Sequence, residues 1–259
     1  MANPILGYNN LIDSATLSGG SWNASYPLTN LKNRLLAKKA RSSNALAAST
    51  LINIDLGSAK AVQAFGAIAS NISNSGASYR LRGTNDSAFG SSLYDSGTLS
   101  ANTQTPHVII GLTAVITARY WRFEITDTGN GAGYVQLGRL FIGPALMTAD
   151  NYNKGADLGY QSRSSVVQSV GGVEYFNKLA NRRSFSFAID TMTSAEAYTE
   201  ALEVQRLADV TEEVLVITDT DDTTYRQQRH FLGRLSQLSP IKNPYTTIHQ
   251  AAFEIVEIV

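Results

Sequence analysis

The sequence predicts a mainly β protein of two domains: a β-sandwich jelly roll over residues 1–147, then a small α+β domain with one helix over residues 148–259. Three observations lead to this prediction. The first half alternates apolar and polar residues in short segments between turns, as antiparallel strands do. The alternation breaks at Gly143 and Pro144, which indicates a connector. The second half contains an amphipathic helix between strand-like segments.

Three segments of the first half have the alternation of half-buried strands. These segments are residues 51–57, 79–83 and 119–125. The turn-forming clusters between them are residues 71–76, 84–90 and 127–133. The inward-facing side chains expected in the core are Ile52, Ile54, Leu81, Trp121, Phe123 and Ile125. A short helical turn is also expected within residues 28–40, with Asn30 as its cap.

The second half begins with a polar connector over residues 148–159. A strand with strict alternation follows at residues 184–190. Thr193 and Glu196 then form the Thr-x-x-Glu capping box that starts a helix, which we predict for residues 194–209. The apolar stripe of this helix, expected to be buried, consists of Ala197, Tyr198, Ala201, Leu202, Val204 and Ala208.

The remaining strands are predicted at Val214–Ile217, at residues 229–235 and at residues 251–259. Val214–Ile217 is apolar throughout, which is typical of a central strand. The last strand carries apolar groups on both faces, among them Val256. An exposed strand of this kind would aggregate, so we expect it to lie at a sheet edge and to pair with a neighbouring subunit.

The composition excludes several classes of protein. The 21 basic and 21 acidic residues balance, so the overall field does not steer the chain toward nucleic acid or an anionic membrane. Charged residues make up 16% of the chain, below the ~25% of an average soluble domain. Such a surface suits a subunit that meets neighbours. Without cysteine, disulfides, thiolate nucleophiles and cysteine-based zinc sites are excluded.

The sequence also predicts neither export nor a membrane span. The start of the chain, Met1-Ala2-Asn3-Pro4, lacks the basic and apolar regions of a signal peptide. No apolar run reaches the ~18–20 residues that a membrane helix needs. We therefore expect a soluble protein that is made in the cytoplasm.

Motifs for catalysis or cofactor binding are missing, so we predict no enzyme activity, no cofactor and no required metal. His107, His230 and His249 are scattered, without metal-ligand spacing to a carboxylate. No Gly-x-Ser-x-Gly elbow presents a nucleophile, and there is no P-loop. The glycine-rich residues 129–133 precede a strand and not a helix, which indicates an inter-strand loop. Paired carboxylates for glycoside hydrolysis stay open, because such a pair forms in space.

The acidic residues 219–223 invite a calcium interpretation. A calcium-binding loop of the EF-hand type would need Gly at the sixth place and Glu at the twelfth. Thr224 and His230 stand at those places. A solvated turn at the tip of a hairpin is therefore favoured.

Three aromatic residues of the first half have two interpretations. Trp22, Tyr26 and Tyr94 could stack on sugars, or they could close the ends of the sandwich. Closing the ends is the more common role of such residues, because aromatic side chains bury large apolar areas. No ligand-binding residue is therefore assigned.

Four sequence segments of the first half, and the order in which they occur, resemble those of the galactose-binding-like jelly roll of discoidin and coagulation factor type C domains. They are YPLTNL from Tyr26, LINIDLG from Leu51, YRLRGTND from Tyr79 and RYWRF from Arg119. The resemblance covers residues 20–143 and implies the fold. Family members bind ligands through variable loops at one end, so no binding residue carries over. Some members also hold a structural calcium ion.

The segment LGRLFIGPAL, which starts at Leu137, resembles the sequence that ends such domains in phage tail proteins. Residues 185–259 are similar to the strand–helix–strand units of siphophage distal tail and baseplate-hub proteins, which form rings around the tail channel. This resemblance implies a ring of six subunits or a multiple of three. It also implies tail-tube and baseplate partners, and a place in the virion after assembly in the host cytoplasm.

The sequence thus favours a structural component of a phage tail tip or baseplate, which connects the tail tube to the adsorption apparatus. The alternative is a carbohydrate-binding adhesin that recognises a bacterial surface glycan. A third hypothesis is an enzyme fragment whose catalytic part lies elsewhere. An adhesin would keep aromatic and polar loop residues exposed around a concave pocket. A ring subunit would instead offer large surfaces and strand edges to its neighbours.

Overall fold

The computed structural model describes residues 3–72, 76–101, 107–153, 155–222 and 224–259. Part of the predicted turn at 71–76 (residues 73–75) and Thr223 of the turn at 219–223 lie outside the described residues. The chain is mainly β and divides into two compact units. Unit 1 comprises Met1–Met147 and Leu215–Phe231, and unit 2 comprises Thr148–Val214 and Leu232–Val259.

The strands are numbered in chain order through both units. Those of unit 1 are β1 (Ile5–Gly7), β2 (Thr16–Ser18), β3 (Ala40–Arg41), β4 (Ile52–Ile68), β5 (Ser78–Thr84), β6 (Tyr94–Asp95), β7 (Leu99–Ser100), β8 (Val108–Thr126), β9 (Gln136–Leu137), β10 (Arg139–Gly143), β11 (Ala145–Leu146) and β16 (Val214–Ile217). Those of unit 2 are β12 (Asp157–Gln161), β13 (Ser165–Gln168), β14 (Glu174–Asn177), β15 (Arg182–Met192), β17 (Phe231–Leu235) and β18 (His249–Glu257).

Unit 1 is a β-sandwich jelly roll, as the sequence predicts. Its main sheet has the strand order β10-β4-β8-β5-β6, with β2 beside β4 and β7 beside β5. The long antiparallel pair β4–β8 runs from Ile52 opposite Phe123 to Ala67 opposite Val108. A second set of strands has the order β11-β1-β16. The two layers meet closely at Gly7, where a Cβ atom would lie 2.8 Å from the Cβ of Ala64.

The predicted core of unit 1 is confirmed. Ile52, Ile54, Leu81, Trp121, Phe123 and Ile125 are all buried in one apolar cluster. Burial of each such side chain stabilises the fold by roughly 1.5–3 kcal/mol. The expected helical turn is present only as a 3-10 helix over Leu28–Lys32, and its cap position is Pro27. The side chain of Asn30 instead donates to the Lys39 carbonyl at 2.8 Å, so its predicted capping role is wrong.

Unit 2 contains a four-stranded antiparallel arrangement, β17-β18-β15-β12. β18 pairs with β15 on one side, with Ser184 opposite Val256, and with β17 on the other, with Arg234 opposite Val256. The prediction that residues 251–259 form an edge strand is therefore wrong. Val256 is buried, so the apolar groups on both faces of this strand reflect an interior position in the sheet and not a free edge.

The helix of unit 2 starts at the predicted capping box. The Thr193 N–H donates to Glu196 Oε2 at 2.7 Å, and the Glu196 N–H donates to Thr193 Oγ1 at 3.3 Å. A π-helical stretch, Glu196–Ala201, continues into α1 (Leu202–Ala208). The small residues of the predicted stripe are buried, but Tyr198 and Leu202 are about half exposed. Tyr198 and Leu202 each follow a buried alanine by one position, about 100° around the helix, so the predicted stripe was too wide.

Two other predictions are corrected in part, and a third is confirmed. The connector predicted over residues 148–159 contains the start of β12. The strand predicted from residue 229 begins at Phe231, because the preceding residues form the short helix α2 (Arg226–Arg229). Val214–Ile217 is a strand, as predicted, and it pairs with β1, with Leu6 opposite Val216.

Candidate functional site

The histidines and acidic residues considered above do not form a metal site among the described residues. In the part of the chain that the structure describes, no group of three or more His, Asp and Glu side chains could hold a metal ion. His107 accepts the Ala69 N–H at 3.2 Å, so it has a structural partner in unit 1. No helix among the described residues is long and apolar enough to cross a membrane.

The carboxylates of Asp219 and Asp222 have partners within the protein. Asp222 Oδ1 accepts the backbone N–H groups of Thr224 and Tyr225 at 2.9 and 2.7 Å, and Oδ2 pairs with Arg229 at 2.8 Å. Burial raises the pKa of Asp222, but these bonds hold it below its usual value. This turn leads into α2 and not directly into a strand, so it is not the tip of a simple hairpin.

One constellation in unit 2 was not predicted from the sequence. Ser194 Oγ lies 2.9 Å from His249 Nε2, and His249 Nδ1 lies 2.5 Å from Asn243 Oδ1. The order of the groups matches that of a nucleophile, a base and an orienting residue. The ring of Tyr198 packs edge-on against the imidazole, with 4.9 Å between ring centres. The bonds tie the first turn of the helix to β18, which is a structural role.

At one end of the unit 1 sandwich, an arginine is held between two aromatic rings. The guanidinium of Arg41 lies 4.3 Å from the ring centre of Tyr26 and 4.1 Å from that of Tyr134. Its Nη2 donates to Gln136 Oε1 at 3.0 Å. Cation–π contacts of this kind hold both rings in place. Tyr26 keeps 40% of its surface exposed, so a fixed aromatic ring faces solvent next to the partly buried Arg41.

The other two aromatic candidates close the sandwich, as the structural interpretation predicts. Trp22 and Tyr94 are half-buried and pack against the apolar core. The Trp22 indole donates to the Gly19 carbonyl at 3.1 Å, and the Tyr94 ring lies 6.0 Å from that of Trp121. Of the three, only Tyr26 offers an exposed ring.

Unit 2 carries an exposed apolar hairpin, β13–β14, which was not predicted from the sequence. Its strands pair with Val166 opposite Phe176 and Val167 opposite Tyr175. Because neighbouring residues of a strand point to opposite faces, each face of the hairpin carries one of these pairs. All four side chains are 58–72% exposed. The hairpin is therefore apolar and exposed on both faces.

The hairpin is closed by its own hydrogen bonds. The Ser169 N–H donates to the Val173 carbonyl at 2.8 Å, and Gly172 takes the positive φ of +82° that its turn requires. At the base, Ser164 Oγ accepts the Leu179 N–H at 3.0 Å. Glu174 is the single charged residue in the hairpin sequence. The geometry supports a defined apolar surface, here called the hairpin surface (Ser165–Gln168 and Glu174–Asn177).

Comparison with known proteins relates the chain to others by structure alone. No family model and no curated protein matches the sequence. The lectin domain of lectinolysin complexed with Lewis b antigen is 14% identical, with a TM-score of 0.43 over 52% of this chain and 96% of that one. A carbohydrate-binding module from a family 31 glycoside hydrolase of Clostridium perfringens is 12% identical, with a TM-score of 0.42 over 52% and 98%.

The family 32 carbohydrate-binding module of Clostridium perfringens NanJ, solved with galactose, is 14% identical, with a TM-score of 0.43 over 53% and 98% of the two chains. These three neighbours are carbohydrate-binding modules, and none of them is a phage tail protein. Each of them spans about half of this chain and almost all of its own length.

Proposed function

We propose that this protein is a self-assembling structural subunit of a phage tail tip. It forms a ring around the tail channel and connects the tail tube to the adsorption apparatus. The observation that carries the proposal is the hairpin surface, which is apolar on both faces. An isolated two-stranded hairpin is marginally stable in water, so this one is expected to be completed by packing between subunits.

The size of the hairpin surface fits this role. Aromatic side chains bury roughly 150–250 Å² each, and Tyr175 and Phe176 are both more than 60% exposed. With Val166 and Val167 the exposed apolar area reaches several hundred Å², of the order of the ~800 Å² that each partner buries in a standard interface. Depletion of charge, with Glu174 alone in the hairpin, is also typical of the centre of an interface.

The tail assignment rests on the likeness of residues 185–259 to distal tail and baseplate-hub proteins. The strand–helix–strand order of β15, the helix and β16 agrees with it. Closed cyclic symmetry would satisfy head-to-tail contacts, and the resemblance to tail-tube proteins implies six subunits or a multiple of three. Tail-tube and baseplate proteins would be its neighbours in the virion, after assembly in the host cytoplasm.

A charge on the hairpin surface tests the proposal. Val167→Glu and Phe176→Glu place a carboxylate where a neighbouring subunit would pack, and an unpaired buried charge is costly. We expect both variants to fold and to be monomeric by light scattering and native mass spectrometry. Wild type is expected to form a closed oligomer, seen as rings with a central channel by electron microscopy.

Val115→Glu provides the matched control. Val115 lies on β8 of unit 1 and is 56% exposed, close to the 62% of Val167, so this variant adds the same charge at similar exposure. It should keep the wild-type mass. A monomeric wild type at ~100 µM, above the Kd of a stable assembly, or hairpin variants with unchanged mass, would show that the hairpin surface is not an interface.

Carbohydrate binding by unit 1 is the second candidate function. Tyr26, held against Arg41 and exposed beside Gln136, favours it, because recognition of polar ligands combines aromatic faces with fixed hydrogen-bonding groups. Three structural neighbours are carbohydrate-binding modules, two of them solved with Lewis b or galactose. The two functions are compatible, since the hairpin surface and Tyr26 belong to different units.

A glycan array probes this second function. The wild-type protein should bind a defined set of the glycans on the array. Tyr26→Ala should lower the binding signal at least tenfold, because it removes the exposed ring. Leu93→Ala, at an exposed apolar position of the same unit, should bind like wild type. An empty array, or equal binding by Tyr26→Ala, would remove this site from consideration.

A further inference from the structure

Unit 1 contains a cavity of about 170 Å³ beside β8 and β16. Its apolar wall is formed by Leu99, Ile109, Ile110 and Ile217. Its polar groups come from Tyr94, Ser96, Thr220, Arg226 and His230. Part of this lining belongs to Leu215–Phe231, which reaches unit 1 from the far end of the sequence. The segment sits close against β8, since a Cβ on Gly111 would lie 2.9 Å from Thr220 Cγ2.

Arg226 supplies a positive charge to this cavity. Its Nε donates to the Asp222 carbonyl at 3.2 Å, and its guanidinium also bonds the buried phenol of Tyr79. Both of these partners are neutral acceptors. Within the described ranges, no carboxylate lies at ion-pair distance from Arg226, because the Asp222 carboxylate is paired with Arg229. The guanidinium therefore lines the cavity without a directly paired carboxylate, and Asp222, the acidic side chain that acts on His230 in the cavity, is already paired with Arg229.

The other polar groups of the cavity do not compensate this charge. His230 is buried, and burial, followed by the nearby Arg226, lowers its pKa to about 4. The imidazole is therefore neutral at pH 7. Thr220, Ser96 and Tyr94 offer hydroxyl groups, which can donate to an anion as well as accept. The cavity thus combines one cation, neutral hydrogen-bonding groups and an apolar wall.

We propose that this cavity binds a small organic carboxylate, with Arg226 as its anchor. A planar guanidinium matches the two oxygens of a carboxylate, and the apolar wall suits a carbon-bearing anion better than a fully hydrated inorganic one. The cavity volume of about 170 Å³ favours a short organic acid or an acidic end group over a larger ligand. This binding is separate from ring assembly and from the Tyr26 site.

Titration with lactate tests the proposal. Binding is monitored by calorimetry and by the NMR amide signals of Gly111 and Thr220. We expect saturable binding with a millimolar Kd, in keeping with the small size of the probe. Lactamide, which has the same shape without the charge, should not bind. A comparison of glucuronate with glucose shows whether the cavity binds an acidic sugar. Titration with phosphate tests the alternative that the ligand is an inorganic anion.

Two variants and one control locate the binding. Arg226→Gln should weaken lactate binding at least tenfold, and Arg226→Lys, which keeps the charge but loses the planar fork, should weaken it less. Lys60→Gln removes a charge from the surface of the same unit and should bind like wild type. Thermal melting confirms that the variants are folded. Equal binding of lactate and lactamide, tighter binding of phosphate than of either carboxylate, or binding unchanged in folded Arg226→Gln would overturn the proposal.

Discussion

At the scale of single residues, His230 makes the stability of unit 1 depend on pH. Its pKa falls from 6.5 to about 4 in the folded protein, through burial and then the charge of Arg226. Between these two values the unfolded chain binds a proton that the folded one does not, so stability falls as the pH drops from 6.5 to 4. A shift of this size corresponds to roughly 3 kcal/mol at the acid end.

We therefore predict that the free energy of unfolding of wild type, measured by urea denaturation, decreases between pH 6.5 and 4.5. His230→Gln should flatten this dependence, whatever its effect on stability at pH 7. Carboxylates such as Asp55, whose pKa Arg119 holds below its usual value, lose their contribution only at lower pH. An equal slope in wild type and variant would assign the effect to other groups.

Residue contacts between distant segments were the least predictable from the sequence. The alternation of Trp121 and Phe123 with their polar neighbours was sufficient to place them in the core. No local pattern connects Arg41 with Tyr134, or Arg226 with Tyr79, because such pairs depend on how strands align in space. The contacts of His249 with Ser194 and Asn243 were equally unpredictable, since only the fold brings these three residues together.

At the scale of elements, the position of β18 changes the expected effect of a charge on it. Val256 is buried between β15 and β17, so Val256→Asp puts a carboxylate into the interior of unit 2. We predict loss of folding of this unit, with a cost of several kcal/mol, and not a folded monomer. Circular dichroism and hydrogen exchange measure it. A stably folded Val256→Asp protein would contradict the interior position of the strand.

The sequence located seven of the eighteen strands among the described residues and missed, among others, the hairpin β13–β14. Its apolar residues come in adjacent pairs, Val166–Val167 and Tyr175–Phe176. A strand that is covered on one face alternates, so pairs of this kind do not match the pattern expected for a strand. The capping box of Thr193 and Glu196 was predictable, because it depends on residues three apart. The π-helical stretch was not, since it has no comparable local signature.

At the scale of the whole molecule, the class of fold followed from the sequence, and the assignment of segments to units did not. Turn spacing and alternation over residues 51–125 are sufficient for a β-sandwich. Val214–Ile217 looks like any buried strand, and nothing in its four apolar residues indicates that it pairs with Ile5–Gly7. Ring assembly and the place in a phage tail stay predictions, which the hairpin variants test.

The pairing of β16 with β1 has a consequence for folding during synthesis. The partner of Ile5–Gly7 is Leu215–Ile217, and it leaves the ribosome only after all the residues between the two strands have been made. At ~5–20 residues per second, β1 waits on the order of ten seconds or more for this strand. During that time one edge of the nascent strand is open to chaperones or to another nascent chain. The pairing of β1 is thus completed much later than its own translation.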